Sequence, residues 1–194
     1  GFGTAGLRGR IGPGPRRMNS VVVAQAAAGL GRYLLEHGGG AVVVGYDARH
    51  DSDLFARVTA EVLTGMGLSV MVLPEPLPTP VLAFAIRRLG CAAGVMVTAS
   101  HNPPHDNGYK VYLGDGSQIV PPADSDIAHA IDADVRVSEL ARSRNFDVLT
   151  ADIVDSYVNA AASLVAPQAP RDIRVVSTSL HGVGHDTWMA AMHA

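Results

Sequence analysis

The sequence is short of nearly everything that would mark a secreted, membrane-spanning or nucleic-acid-binding protein. It has one cysteine in 194 residues, Cys91, so no disulfide can close within the chain, and a reducing compartment, the cytoplasm, is expected. With 15 basic residues against 18 acidic ones, the net charge is −3 and no basic surplus favours nucleic acid as a partner. No apolar run approaches the ~18 residues of a membrane span, and no basic-then-apolar leader opens the chain. Charged residues make up only 17% and hydrophobic ones 47%, which excludes a disordered chain. The 12 prolines and 21 glycines follow no repeat, which excludes a collagen-like or low-complexity segment. Lysine is the scarcest charged residue: Lys110 is the only one beside 14 arginines. It is informative because a lysine can release its proton and an arginine cannot. The chain opens Gly1-Phe2-Gly3 without a methionine and stops at Ala194 within a helical pattern, so it reads as a fragment.

What is present alternates between two periods. Residues 19 to 37 predict a helix capped by Asn19 or Ser20, with Val23, Ala27, Leu30 and Leu34 on one face and Gly38 to Gly40 ending it. A β-branched strand, Val42 to Val44, closes on Gly45-Tyr46-Asp47. A helix from Ser52 to Met66, a strand from Leu68 to Leu73, a proline-rich connector, a helix from Val81 to Leu89 and a strand from Ala92 to Val97 follow. Gly108 to Leu113 reads as a fourth strand or the returning arm of a loop. The expected fold is α/β, a mixed, mainly parallel sheet sandwiched between helices. Asp47 and Ser100 then both lie at the carboxyl edge of the parallel strands, where such sheets bind ligands. Residues 114 to 145 read as helix and linker, and 1–145 as a first domain. Residues 146–194 read as the start of a second: a helix from Asp152 to Val165, then a strand from Ile173 to Ser177 with no partner in the sequence.

The most informative stretch is Val97-Thr98-Ala99-Ser100-His101-Asn102-Pro103-Pro104. A strand delivers a serine into a loop stiffened by two prolines, which fix the backbone and remove two N–H donors. A serine needs a base or an electrophilic partner to act as a nucleophile, and the Gly-x-Ser-x-Gly elbow of acyl transfer is absent. Thr98 to Pro103, with Asn107-Gly108-Tyr109-Lys110, resembles the phosphoserine loop of the α-D-phosphohexomutases. Gly3-Thr4-Ala5-Gly6-Leu7-Arg8-Gly9 resembles that superfamily's amino-terminal signature. Gly45-x-Asp47-x-Arg49 resembles its Gly-x-Asp-x-Arg, and His181-Gly182-Val183-Gly184 its second-domain His-Gly-x-Gly. The spelling of the first signature is most similar to the branch of phosphoglucomutases and phosphopentomutases.

The resemblance implies a mutase that moves a phosphoryl group between two hydroxyls of a sugar phosphate, through phosphorylated Ser100 and a bisphosphate intermediate. It implies Arg8 as a clamp on the phosphoryl oxygens, Lys110 as general acid/base, and His101 as a donor to phosphoryl or substrate oxygens. Asn102 fixes the loop, and Thr4 either contacts the phosphoserine region or caps a turn. Asp47 and Arg49 read as an ion pair at the sheet edge. The resemblance further implies Mg2+ against Ser100 and a sugar bisphosphate as activator. The family's Asp-Gly-Asp-x-Asp-Arg metal loop and Gly-Glu-x-Ser-Gly sugar loop do not occur in these residues, so the fragment alone is expected to be inert. Two other classes stay open: a phosphosugar-binding relative without catalysis, and a serine hydrolase or phosphatase, for which no clear water-activating base is offered. Gly114-Asp115-Gly116 reads as a turn, and Trp188, Met189 and Met192 as core.

Overall fold

The computed structural model describes residues 2–3, 6–131 and 135–194. Six strands form one sheet: β1 (Leu7–Arg10), β2 (Val42–Tyr46), β3 (Val70–Val72), β4 (Ala93–Val97), β5 (Asp106–Leu113) and β6 (Asp147–Val148). Their spatial order is β1-β5-β4-β2-β3-β6. The pairs β4–β2, β2–β3 and β3–β6 are parallel, while β5 runs antiparallel to both β4 and β1. This is the mixed, mainly parallel sheet expected, with β5 as the returning arm of the loop that leaves β4.

Side-chain alternation along the strands divides the core in two. Val42, Val44, Val95, Val97 and Val111 face α1 (Ser20–Glu36) and α2 (Ser52–Gly65). Val43, Met96 and Tyr112 face α3 (Thr79–Leu89). Because both faces are covered, Val42 to Val44 form the uninterrupted β-branched run typical of a central parallel strand. Helix α1 begins where Asn19 accepts hydrogen bonds from the amides of Val21 and Val22, both 3.1 Å, and its Nδ2 ties back to the Gly12 and Gly14 carbonyls. Helix α3 starts with Pro80 in its first turn and ends on Gly90 at φ 64°. The expected helix and linker of residues 114 to 145 contribute α4 (Ala123–Ala130), which packs on α1. Gly114 to Gly116 is the turn expected, closed by Asp115 Oδ1 accepting from Ser117 N at 2.8 Å. Among the described residues no helix is long and apolar enough to cross a membrane.

Four features differ from expectation. Residues 7 to 10 are a strand, hidden in sequence by the alternation of arginine and glycine. Residues 147 to 162, expected to open a second domain, join the first sheet: β6 pairs with β3, and α5 (Asp152–Ala162) lays Ile153 into the α3 side of the core. Buried Glu61 on α2 holds the connector before β6, accepting Arg144 Nε at 3.1 Å and Arg142 Nη1 at 3.4 Å. The strand expected from Ile173 to Ser177 does not form; Ile173 is 72% and Val176 100% exposed. β-Branched residues make a strand only where a neighbouring ladder accepts their backbone groups, and none adjoins them here. The last helix, α6 (His185–His193), contacts α5, and it leaves Met192 exposed and Trp188 only part-buried rather than in a core.

If α5 belongs to this folding unit, Ile153→Ala lowers unfolding stability by about 2 kcal/mol or more, as for other buried isoleucines cut to alanine. Urea denaturation measures it, and an unmoved midpoint would show the helix to be undocked.

Candidate active site

The site is built at the carboxyl edge of β2 and β4, where the sheet backbone runs out of ladder partners. The amide of Asp47 donates to Val97 O at 3.1 Å, joining the ends of the two strands. After Val97 the chain turns through Thr98 to His105 and returns as β5. Ser100 sits at the top of that turn, exposed, with φ 57° in the left-handed region. Its amide donates to Thr98 Oγ1 at 3.0 Å, and Asn102 N donates to Ala99 O at 3.1 Å.

The base of the loop tolerates no side chain. A Cβ on Gly108 would stand 2.5 Å from Thr98 O and 2.9 Å from Leu7 O, between the loop and β1. Gly6, at φ +70°, would drive a Cβ into the Tyr109 carbonyl. These two glycines let the amino-terminal strand lie close beneath the serine loop.

Arg8 and Lys110 arrive from neighbouring strands, since Arg8 pairs with Gly108 two residues before Lys110. Arg8 is exposed and directs Nη1 at Asn102 Oδ1, 3.2 Å away. Asn102 Nδ2 in turn donates to Asp106 Oδ2 at 2.9 Å, so the residue expected to fix the loop bridges both its ends. Lys110 is half-buried; burial first and the Arg8 guanidinium second push its ammonium below the ordinary lysine value, while Asp47 pulls the other way. His101 is exposed on the loop beside Ser100. Thr4 lies outside the described residues.

Asp47 and Arg49 pair as expected, Nε to Oδ2 at 3.4 Å. Sequence reading missed what the rest of Arg49 does. Its Nη1 donates to Pro103 O (2.9 Å) and Asp106 O (3.1 Å), and its Nη2 to Ser100 O and Asn102 O, both 2.7 Å. Spacing along the chain shows only the i, i+2 neighbour; the loop contacts lie more than fifty residues away. The parts played by Ser52 and Asn107 were also missed: Ser52 Oγ donates to Asp47 Oδ1 at 2.7 Å, and Asn107 Nδ2 to Ser52 Oγ at 2.9 Å.

A cleft of about 670 Å³ lies over the loop, with Asp47, Ser100 and His101 on one wall and Ser179, His181 and Gly182 on the other. The two walls share a local build. Leu180 also has a left-handed φ, 48°, and its amide donates to Thr178 Oγ1 at 3.1 Å, as Ser100 does to Thr98; a histidine follows each. Among the described residues no group of three or more His, Cys, Asp or Glu is placed to hold a metal ion. Ser100, the one Mg2+ ligand expected from this chain, stands exposed in the wall of the cleft.

Residues 1–138 match the family described as phosphoglucomutase/phosphomannomutase, alpha/beta/alpha domain I. The chain belongs to the phosphoglucomutase/phosphomannomutase family. A Haemophilus influenzae protein named a probable phosphomannomutase is 53% identical over 87% of this chain and 36% of its own length. A Staphylococcus haemolyticus phosphoglucomutase is 38% identical over 94% of this chain and 35% of its own. The crystal structure of a Thermus thermophilus protein, provisionally named a phosphomannomutase, superposes with a TM-score of 0.77 at 38% identity, covering 85% of this chain and 36% of that one. The chain thus spans about a third of the length of these family members, and the part it spans includes the serine loop and its supporting strands.

Gly108→Ala forces the added methyl against two carbonyl oxygens and is expected to cost about 1–3 kcal/mol. Thermal unfolding of the variant reads the cost, and an unchanged melting temperature would contradict the close approach of β1 to the loop.

Proposed function

We propose that the protein carrying this chain is a phosphosugar mutase whose phosphoryl carrier is Ser100. The observation that carries the reading is the exposed, left-handed Ser100 at a parallel-sheet edge, in a loop whose Asn102 meets Arg8, with Lys110, its proton affinity lowered, on the strand next to Arg8. Membership of the family supports it. Phosphoryl transfer demands positioning and charge neutralisation more than covalent chemistry from the protein. A phosphoserine brings roughly −1.5 to −2 charge at neutral pH, and the planar fork of Arg8 suits its oxygens.

In the proposed reaction a sugar hydroxyl attacks the phosphorus and its proton passes to the neutral amine of Lys110. As the new bond to phosphorus forms, the bond from phosphorus to Ser100 Oγ breaks, and Ser100 Oγ takes up a proton from solvent to become the free hydroxyl. The return transfer, from the other end of the bisphosphate to Ser100, runs the same steps backward. His101 donates to phosphoryl or substrate oxygens, and Asn102 holds the loop. Mg2+ would supply further charge neutralisation at the phosphoryl group, with Ser100 as its one ligand from this chain. A sugar bisphosphate is the natural loading agent. Sugar phosphates are the proposed substrates, and the reducing cytoplasm, consistent with a lone buried Cys91, the proposed compartment. The 194 residues alone are proposed to be inert, because the acidic metal loop and the sugar loop expected of a mutase are not among them.

Intact mass and peptide fragmentation after treatment with glucose 1,6-bisphosphate test the reading. Phosphate is expected on Ser100, lost when sugar monophosphate is added and absent in Ser100→Ala; no phosphate, or phosphate elsewhere, would refute it. Lys110 must be deprotonated to act as base, so the rate of phosphoryl transfer rises with pH and levels off above its lowered value. Arg8→Gln removes one of the two causes of that lowering. Its rising limb is expected at higher pH, whatever the loss in absolute rate, and an unshifted limb would remove Lys110 from the role.

A further inference from the structure

We propose that Arg49 is a positioning residue for phosphoryl transfer at Ser100, fixing the backbone of the serine loop without touching the transferred group. The inference rests on the mutase reading above. A guanidinium has five N–H donors; in Arg49 the four on Nη1 and Nη2 donate to four loop carbonyls, and Nε lies 3.4 Å from Asp47 Oδ2. Neither terminal nitrogen keeps a donor for a phosphate. Arg8 differs, with a single hydrogen bond among the described residues.

The loop needs such a partner. Its carbonyls at Ser100 and Asn102 lie beyond the sheet ladder, that of Pro103 accepts one backbone amide, Asp106 N at 3.0 Å, and Pro103 and Pro104 bring no amide of their own. A left-handed serine persists only where its surroundings over-determine it. Arg49 does this by binding both the Ser100 carbonyl and that of Asp106, where β5 begins. The clamp is itself held from below. Asp47 Oδ1 accepts from Arg49 N at 3.0 Å and from Ser52 Oγ, and fully buried Asn107 donates to Ser52 Oγ. A ring thus runs from the end of β2, through the first turn of α2, to the start of β5 and back across the loop. A lysine cannot substitute, because a point charge on a flexible stem does not span four carbonyls with a fixed fork.

The test compares Arg49→Lys and Arg49→Gln in the natural protein that carries this sequence. It measures the rate at which glucose 1,6-bisphosphate loads phosphate onto Ser100, together with kcat, KM and the melting temperature. Both variants are expected to load and turn over about a hundredfold more slowly, the scale set by a misplacement of roughly an ångström, with KM unchanged. Unchanged loading in a folded variant, even one of lower melting temperature, would overturn the proposal. So would a raised KM with kcat intact, which would make Arg49 a substrate ligand. Should neither variant fold, Asp47→Asn keeps the side-chain shape and removes the charge that aligns Nε; roughly a tenfold loss in loading supports the role and no loss overturns it. An unsubstituted protein that takes no phosphate on Ser100 refutes the mutase reading itself, whereas equal loading by unsubstituted and variant proteins refutes only the role of Arg49.

Discussion

The loop that displays Ser100 depends on one cation placed among carbonyl oxygens. A parallel sheet satisfies its backbone groups along the strands and leaves them open at its carboxyl edge, which is why ligands collect there and why loops there are costly to order. Arg49 answers that problem for four residues at once, and the Asp47 carboxylate offsets its charge. The loop is thus held by a group that is electrically neutral as a pair.

Arg8 and Lys110 approach from two neighbouring strands, and the half-burial of Lys110 gives their repulsion weight that water would otherwise screen. In the proposed reaction, two cations that disfavour one another would both gain from a multiply charged phosphoryl group beside them. The close passage of β1 under the loop, allowed by Gly6 and Gly108, brings this pair together.

Much of the architecture was legible in the residues. The β-branched run at Val42 to Val44, the cap at Asn19 and the breaks at Gly38 to Gly40 and the prolines each carry a local signal, and the parallel order follows from the alternation. Ser100, Arg8 and Lys110 were legible as candidates through motifs, and the structure brings them to one edge. What was hidden is non-local. Strand β1 carries no hydrophobic alternation, because it is one strand against β5 with its arginines exposed. The attachment of residues 147 to 162 depends on Glu61, nearly a hundred positions away from the helix it helps to seat. The stretch from Ile173 to Ser177 has the composition of a strand, yet composition says nothing of whether a neighbour is present. Arg49 looked like half of an ion pair because its other partners are distant in sequence.

The two walls of the cleft share a turn in which a threonine hydroxyl accepts the amide of a left-handed residue, with histidine next in line. On one wall the left-handed residue is Ser100; on the other it is Leu180. A leucine side chain has no oxygen, so of the two turns only that of Ser100 presents a hydroxyl at this position. On the proposed reading the cleft therefore has a direction, and a ligand with the same chemistry at both of its ends would have to reverse itself to bring each in turn to Ser100.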